Sequence, residues 1–272
     1  MPAQRRGFSG CSITLVKHAD FENIVGDLVG NFQRMAFIDK LDRFVALTET
    51  ERQAVAACVQ DERTVAAHSH LVVQGEDYDG TYVIHSGWAV RQKFLEDGRR
   101  QVVNFLITGD AIGFAATFFD QADHSVVALT DVNCSRIDSE KLMEMISTYP
   151  RVGSALFWSI ALEESMLRER IVGLGQRSAR EHMAHLIMEM VMRQRAGGAG
   201  DMQARRLPIN QILLSDALGI SPVHTNRTIR RMVLDRLIET SPQGILILDE
   251  PRLREIGDFD GQFLHEKKPT PQ

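Results

Sequence analysis

The spacing of apolar residues changes several times along this chain, and each change predicts an element. From about 31 to 60 the spacing is helical. Phe37, Leu41, Phe44, Val45 and Leu47 recur, and Thr48 with Glu51 makes a capping box ahead of ERQAVAACV. Between about 62 and 137, short β-rich runs (LVVQ, TYVIH, WAVRQKF, QVVNFLI, SVVALT) alternate with turn glycines, among them Gly75, Gly80, Gly87, Gly109 and Gly113. Glu96-Asp97-Gly98 reads as a hairpin turn, so this stretch predicts an antiparallel β-roll or barrel. Helical spacing resumes after Asp138 and runs, with a break at Pro150, to Gly173. There Leu156, Ile160, Leu167 and Leu174 recur at coiled-coil-like spacing, interrupted by Glu163. A link between two domains has no sheet of its own to pack on, so the stripe predicts a parallel dimer seam. Another helix is expected over 178–195, followed by a GGAG loop.

The stretch LPINQILLSDALGISPVHTNRTIRRMVLDRL, residues 207–237, carries the strongest pattern. Asn210 is placed to cap a first helix whose apolar positions are Leu213, Leu214, Ala217 and Leu218. Gly219 stands where a chain leaving a helix needs a left-handed residue. Ser221 followed by Pro222 is a start signal for a second helix. On that helix Val223, Asn226, Arg227 and Arg230 share one face, and Thr225, Ile229 and Met232 lie opposite. This is the layout of a helix-turn-helix, whose second helix enters the DNA major groove. The outward side chains suit base edges, with His224 and Arg231 flanking them for phosphates and Gln211 and Ser221 at the two helix starts. Beyond it, LIETSPQGILIL reads as strand, turn, strand: the wing of a winged helix.

Composition fits two globular domains in 272 residues, with 44% hydrophobic and 25% charged positions. The net charge of −5 hides an asymmetry, since residues 175–237 hold ten arginines against five carboxylates. A basic module on an acidic body fits regional contact with nucleic acid. No apolar run reaches the length of a membrane span, and MPAQRRGFSG lacks the apolar stretch of a secretion signal, so a cytoplasmic protein is expected. Cys11, Cys58 and Cys134 are too few and too scattered for a disulfide framework or a zinc site. There is no GxSxG, P-loop, GxGxxG after a strand or HExxH, so no enzyme is expected.

SPVHTNRTIRRM, together with LGQRSAREHMAHLIMEM upstream, resembles the DNA-binding half of Crp/Fnr superfamily regulators, and the resemblance runs from about Phe32 to about Leu264. It implies an α+β protein: an N-terminal antiparallel β-roll like a cyclic-nucleotide-binding domain, a long dimerisation helix and a C-terminal winged helix-turn-helix. The expected parts are a lead-in over 1–30, the β-roll over 31–148, the helix over 149–174, the DNA-binding domain over 175–253 and a polar tail over 254–272. The implied activity is transcription regulation by a homodimer on a palindromic double-stranded operator, with RNA polymerase as a partner. Arg227 matches the family's recognition-helix arginine. Pro222 and Val223 stand where several relatives carry arginine and glutamate, so a different half-site is expected.

The sensor half departs from the family's cyclic-AMP pattern. In GDAIGFAATFFDQADHSVVALTD, Phe114 replaces the glutamate that accepts from the ribose and His124 replaces the arginine that pairs with the phosphate, while Ser125 is kept. Phe114, His124 and Ser125 therefore mark an effector pocket without the nucleotide's charged partners, with Phe118 and Phe119 expected to line it too. Three cysteines cannot supply the four thiolates of the oxygen-sensing relatives' cluster, and no cofactor is expected. His68 and His70, expected on one face of a strand, leave a metal or haem open. His182 and His185 are expected to pack or to touch phosphate. The competing reading is a small-molecule- or metal-binding β-roll that acts through protein interaction rather than DNA.

Overall fold

The computed structural model describes residues 36–114 and 118–265, so the expected lead-in over 1–30 and the polar end beyond His265 lie outside the described residues. The first helix, α1, occupies residues 36–44, and α2 spans Glu49–Cys58. Thr48 and Glu51 form the capping box reciprocally, each side chain accepting from the other's backbone N–H.

Eight strands follow: β1 Gln60–Val65, β2 His70–Val72, β3 Thr81–Ser86, β4 Ala89–Phe94, β5 Arg100–Leu106, β6 Ala111–Ile112, β7 Ser125–Ala128 and β8 Val132–Ile137. They form two antiparallel sheets in the orders β1-β8-β3-β6 and β2-β7-β4-β5. Between them lie Tyr82, Ile84, Leu106, Ile112, Val126 and Cys134, all buried. The sequence gives no hint of β1. Its residues, QDERTV, are almost all exposed, because an edge strand paired only with β8 needs no apolar face. The histidine pair is not on one strand face. His68 sits in a turn at φ 68° and only His70 is in β2, so the two do not share the alternation that would aim them together.

Helix α3, Ser139–Thr148, is capped by Asp138 and leads into α4, Pro150–Gln176, about 40 Å long at 1.5 Å per residue. The expected seam needs correcting by one residue. Leu156 is 3% exposed and packs in the β-roll's outer core with Phe37, Leu41 and Val55. The exposed apolar stripe is instead Phe157 (73%), Ile160, Ile171 (68%) and Leu174, with the half-exposed Leu167 between them. These positions keep heptad spacing, and Glu164, not Glu163, interrupts them. Glu163 turns to Arg91 of β4. A helix apolar on two faces has one period, and the period cannot say which face its own β-roll covers.

The C-terminal part comprises α5 Ala179–Ala196, α6 Asp201–Ala204, β9 Arg206–Leu207, α7 Gln211–Leu218, α8 Pro222–Leu234, β10 Ile238–Ser241, β11 Gly244–Ile247 and α9 Glu250–Ile256. The antiparallel sheet β10-β11-β9 is the wing with one added strand. Helix α9 crosses the expected boundary at 253, and Phe259 and Leu264 are buried, so residues 254–264 are anchored to the core through these side chains rather than forming a polar tail. His182 and His185 are also core residues. His185 Nδ1 bonds Gly257 O at 3.1 Å and its ring packs on Phe259 and Phe263, which removes the phosphate role from both.

The two halves are pinned together. On β5, Arg100 Nε bonds Asp216 of α7 at 2.9 Å and Gln101 bonds Ala217 O. Arg193 of α5 reaches Asp110 at 2.7 Å and Phe105 O at 2.9 Å in the β-roll. Burial alone would raise the Asp110 pKa, but Lys40 and Arg193 hold its carboxyl below the usual range. No helix among the described residues is long and apolar enough to cross a membrane.

Candidate nucleic-acid interface

Helices α7 and α8 are set by the caps that their sequence supplies. Asn210 Oδ1 accepts from Leu213 N at 2.9 Å, and Ser221 Oγ accepts from His224 N. Gly219 joins the helices in the left-handed region at φ 65°. A side chain there would be strained and would also meet Leu174 of α4, 3.0 Å from the position of a Cβ. Leu213, Leu214, Ala217 and Leu218 of α7 are buried, and so are Thr225, Ile229 and Met232 of α8. Thr228 joins them inside, with its hydroxyl on His224 O at 3.1 Å.

With that face packed, α8 turns Val223 (81% exposed), Arg227 and Arg230 outward. The arginine count of this half overstates its free charge. Arg177 pairs with Glu169, Arg180 with Asp235, Arg193 with Asp110 and Glu189, and Arg195 and Arg205 with Asp201 and Glu250. Arg231 leans on Asp235 at 3.4 Å. Among the described residues, Arg227 and Arg230 make no ion pair and no hydrogen bond through their side chains. Arg206 of β9 and Arg236 after α8 are likewise exposed and make no side-chain pair among the described residues, but on α8 itself the free guanidiniums are those of the outward face, where desolvated, prepaired arginines would be useless for reading bases.

Asn226 and Gln211 do not stand alone as independent contacts. Asn226 Nδ2 donates to Gln211 Oε1 at 2.7 Å, and Gln211 Nε2 donates to Pro222 O at 3.1 Å. Both side chains, with Asn210, Arg230, Thr240, Ser241 and other residues, line an open groove of about 520 Å³ between α8 and the wing. The wing hydroxyls had no signal in the sequence, because a polar turn looks the same whether or not it borders a groove. Ser221 is occupied as a cap, and His224 lies beside it, half-buried.

The residues marked for an effector are only partly together. Phe114 and His124 line one cavity of about 300 Å³ with Gly113, Phe118, Arg91 and, from α4, Ile160 and Glu163. Ser125 does not; its hydroxyl accepts from Gln74 N at 2.9 Å inside the sheet. Phe119 is exposed and not part of the lining. Desolvation lowers the His124 pKa although Asp123 bonds Nδ1 at 2.8 Å. Arg91 was not singled out in the sequence and Glu163 only as a break in the α4 stripe, although an arginine inside the apolar run WAVRQKF was the available signal for this cavity. Their mutual ion pair leaves the cavity lining, among the described residues, without a free guanidinium for a phosphate.

Two family models match the chain: the cyclic nucleotide-binding domain over residues 62–149 and the Crp-like helix-turn-helix domain over residues 181–256. The chain is similar to the nitrogen fixation regulation protein FixK of Azorhizobium caulinodans, 24% identical over 220 residues, which are 80% of this chain and 88% of that protein. It is also similar to the transcriptional activator protein FnrL of Cereibacter sphaeroides, 25% identical over 218 residues, 78% of this chain and 87% of that one. Among solved structures, FixK2 from Bradyrhizobium japonicum shares the fold with a TM-score of 0.64 at 20% identity, covering 72% of this chain and 96% of its own.

Proposed function

Because the chain belongs to the Crp/Fnr family and is a DNA-binding transcription regulator of that type, we propose that it acts as a homodimer on a palindromic operator. The observation that carries this reading is the pair of exposed, unpaired guanidiniums, Arg227 and Arg230, on a helix whose opposite face is locked into the domain. Arg227 reads a guanine through its two parallel donors, Asn226 contributes to the same half-site, and Val223 offers an apolar contact to a thymine methyl. Arg230 and Arg231 run along the phosphates, with His224, Ser221 and Gln211 at the edge of the contact.

The apolar stripe Phe157, Ile160, Leu167, Ile171 and Leu174 is the face for the second copy. A two-fold axis along α4 sets the recognition helices about 34 Å apart, one turn of the duplex. The effector cavity bounded by Phe114 and His124 takes no cyclic nucleotide, since its arginine is neutralised by Glu163. The working compartment is the cytoplasm, where RNA polymerase is the partner at the promoter, and the output is regulation rather than catalysis.

Selection from a random duplex pool by the full chain tests the reading. Enriched sequences should be inverted repeats with half-site centres about 10 base pairs apart. Their affinity should fall linearly in log–log fashion as salt rises. No enrichment, or enrichment of single half-sites only, would overturn it.

A further inference from the structure

The amide contacts across the helix-turn-helix have a direction that the groups themselves enforce. Pro222 O is a backbone carbonyl and only accepts. The Gln211 side chain bonded to it at 3.1 Å must therefore present its NH₂ there, which turns Oε1 the other way. Oε1 also only accepts, so the Asn226 group 2.7 Å from it must be the NH₂. Reversing either amide would set two acceptors face to face. The usual ambiguity of amide orientation is thus removed by a carbonyl that belongs to the first turn of α8 itself.

Asn226 then has one N–H spent on Gln211 and keeps one N–H and its carbonyl oxygen for whatever enters the groove beside α8. One donor beside one acceptor matches adenine, which shows N7 as acceptor and N6–H₂ as donor in the major groove. Guanine shows two acceptors, N7 and O6, and would leave the Asn226 oxygen facing another oxygen. We infer that Gln211 is a positioning residue: through the relay Pro222–Gln211–Asn226 it fixes the Asn226 amide in the orientation that selects adenine in each half-site. This rests on the operator-binding reading above and adds to it the base that Asn226 reads and the residue that sets its orientation.

The test measures binding of the full chain to its selected operator and to versions in which one symmetric base pair at a time is changed, at fixed salt. The unmodified protein should prefer adenine at one position by roughly 10-fold or more per half-site, within the range of one good bidentate contact. Gln211→Met removes both relay bonds while keeping the length of the side chain. It should abolish that preference to the same extent as Asn226→Ala, with the double variant losing nothing more. Preferences at the other positions should stay within about 2-fold, and the variant should still melt cooperatively. Gln211→Glu retains an acceptor for Asn226, so it should keep the adenine preference while its added charge lowers affinity on every sequence. This variant also keeps the inference testable if Gln211→Met folds poorly.

Additive losses in the double variant, a uniform loss across all sequences for Gln211→Met, or an intact adenine preference without Gln211 would each overturn the relay. Absence of any sequence preference in the unmodified protein would instead overturn the operator reading and the relay with it.

Discussion

Replacing Arg227 by alanine separates base reading from phosphate attraction. Arg227 is exposed on α8 and bonded to nothing in the described residues, so the substitution leaves the fold within about 0.5 kcal/mol of its stability. What is lost is the contact to DNA. A bidentate arginine–guanine pair is worth about 1–3 kcal/mol of discrimination, and a dimer carries two copies, giving about 2–6 kcal/mol. At 1.4 kcal/mol per factor of ten, the operator affinity should fall by roughly 30- to 20,000-fold. Affinity for random duplex should change far less. Fluorescence anisotropy with a labelled operator and a scrambled duplex, each titrated at several salt concentrations, gives both numbers. It also gives the slope of log affinity against log salt. A base contact leaves that slope nearly unchanged, whereas loss of one phosphate contact per subunit lowers it by about 2 for the dimer. Arg227→Lys should resemble the alanine variant on the operator, because an ammonium keeps the charge without the two-pronged geometry. Equal losses on operator and scrambled DNA, together with the shallower slope, would make Arg227 a phosphate contact and refute the reasoning.

Ile160→Asp with Ile171→Asp should dissociate the dimer in sedimentation while each protomer stays folded, whereas Leu156→Asp should unfold the β-roll; an unchanged dimer would move the interface off α4. Burial, then Arg170 and Arg177, push His182 down to about 4, so the folded state holds it neutral while the unfolded chain protonates near 6.5. Its contribution, at most about 3 kcal/mol, is complete above pH 6.5 and is lost as pH falls towards 4. Urea unfolding at pH 7 and pH 4.5 should show a smaller drop for His182→Leu, and an identical drop would exclude His182 as the cause. Calorimetry with millimolar cyclic AMP should give no saturable heat, because Glu163 occupies Arg91; saturable heat with tighter operator binding would refute that.

The sequence by itself determined the elements whose chemistry is local. The caps at Thr48, Asn210 and Ser221, the left-handed Gly219 and the hairpin at Gly98 act over three or four residues, so their identity is their structure. The two faces of α8 were legible for the same reason, since one helix with one buried side has an unambiguous period. Helix α4 was not. It is apolar on two sides, and only packing of Leu156 against Phe37 and Val55 decides that Phe157 and Ile171 are left outside. The same holds for charge. Ten arginines can be counted along residues 175–237, but which of them are neutralised depends in part on Asp110 and Glu250, partners far off in the chain. Asn226 and Gln211 looked like two separate DNA contacts until the turn at Gly219 brought α7 and α8 within hydrogen-bonding reach. Local conformation is fixed by neighbours in sequence; burial, pairing and the direction of an amide are fixed by neighbours in space.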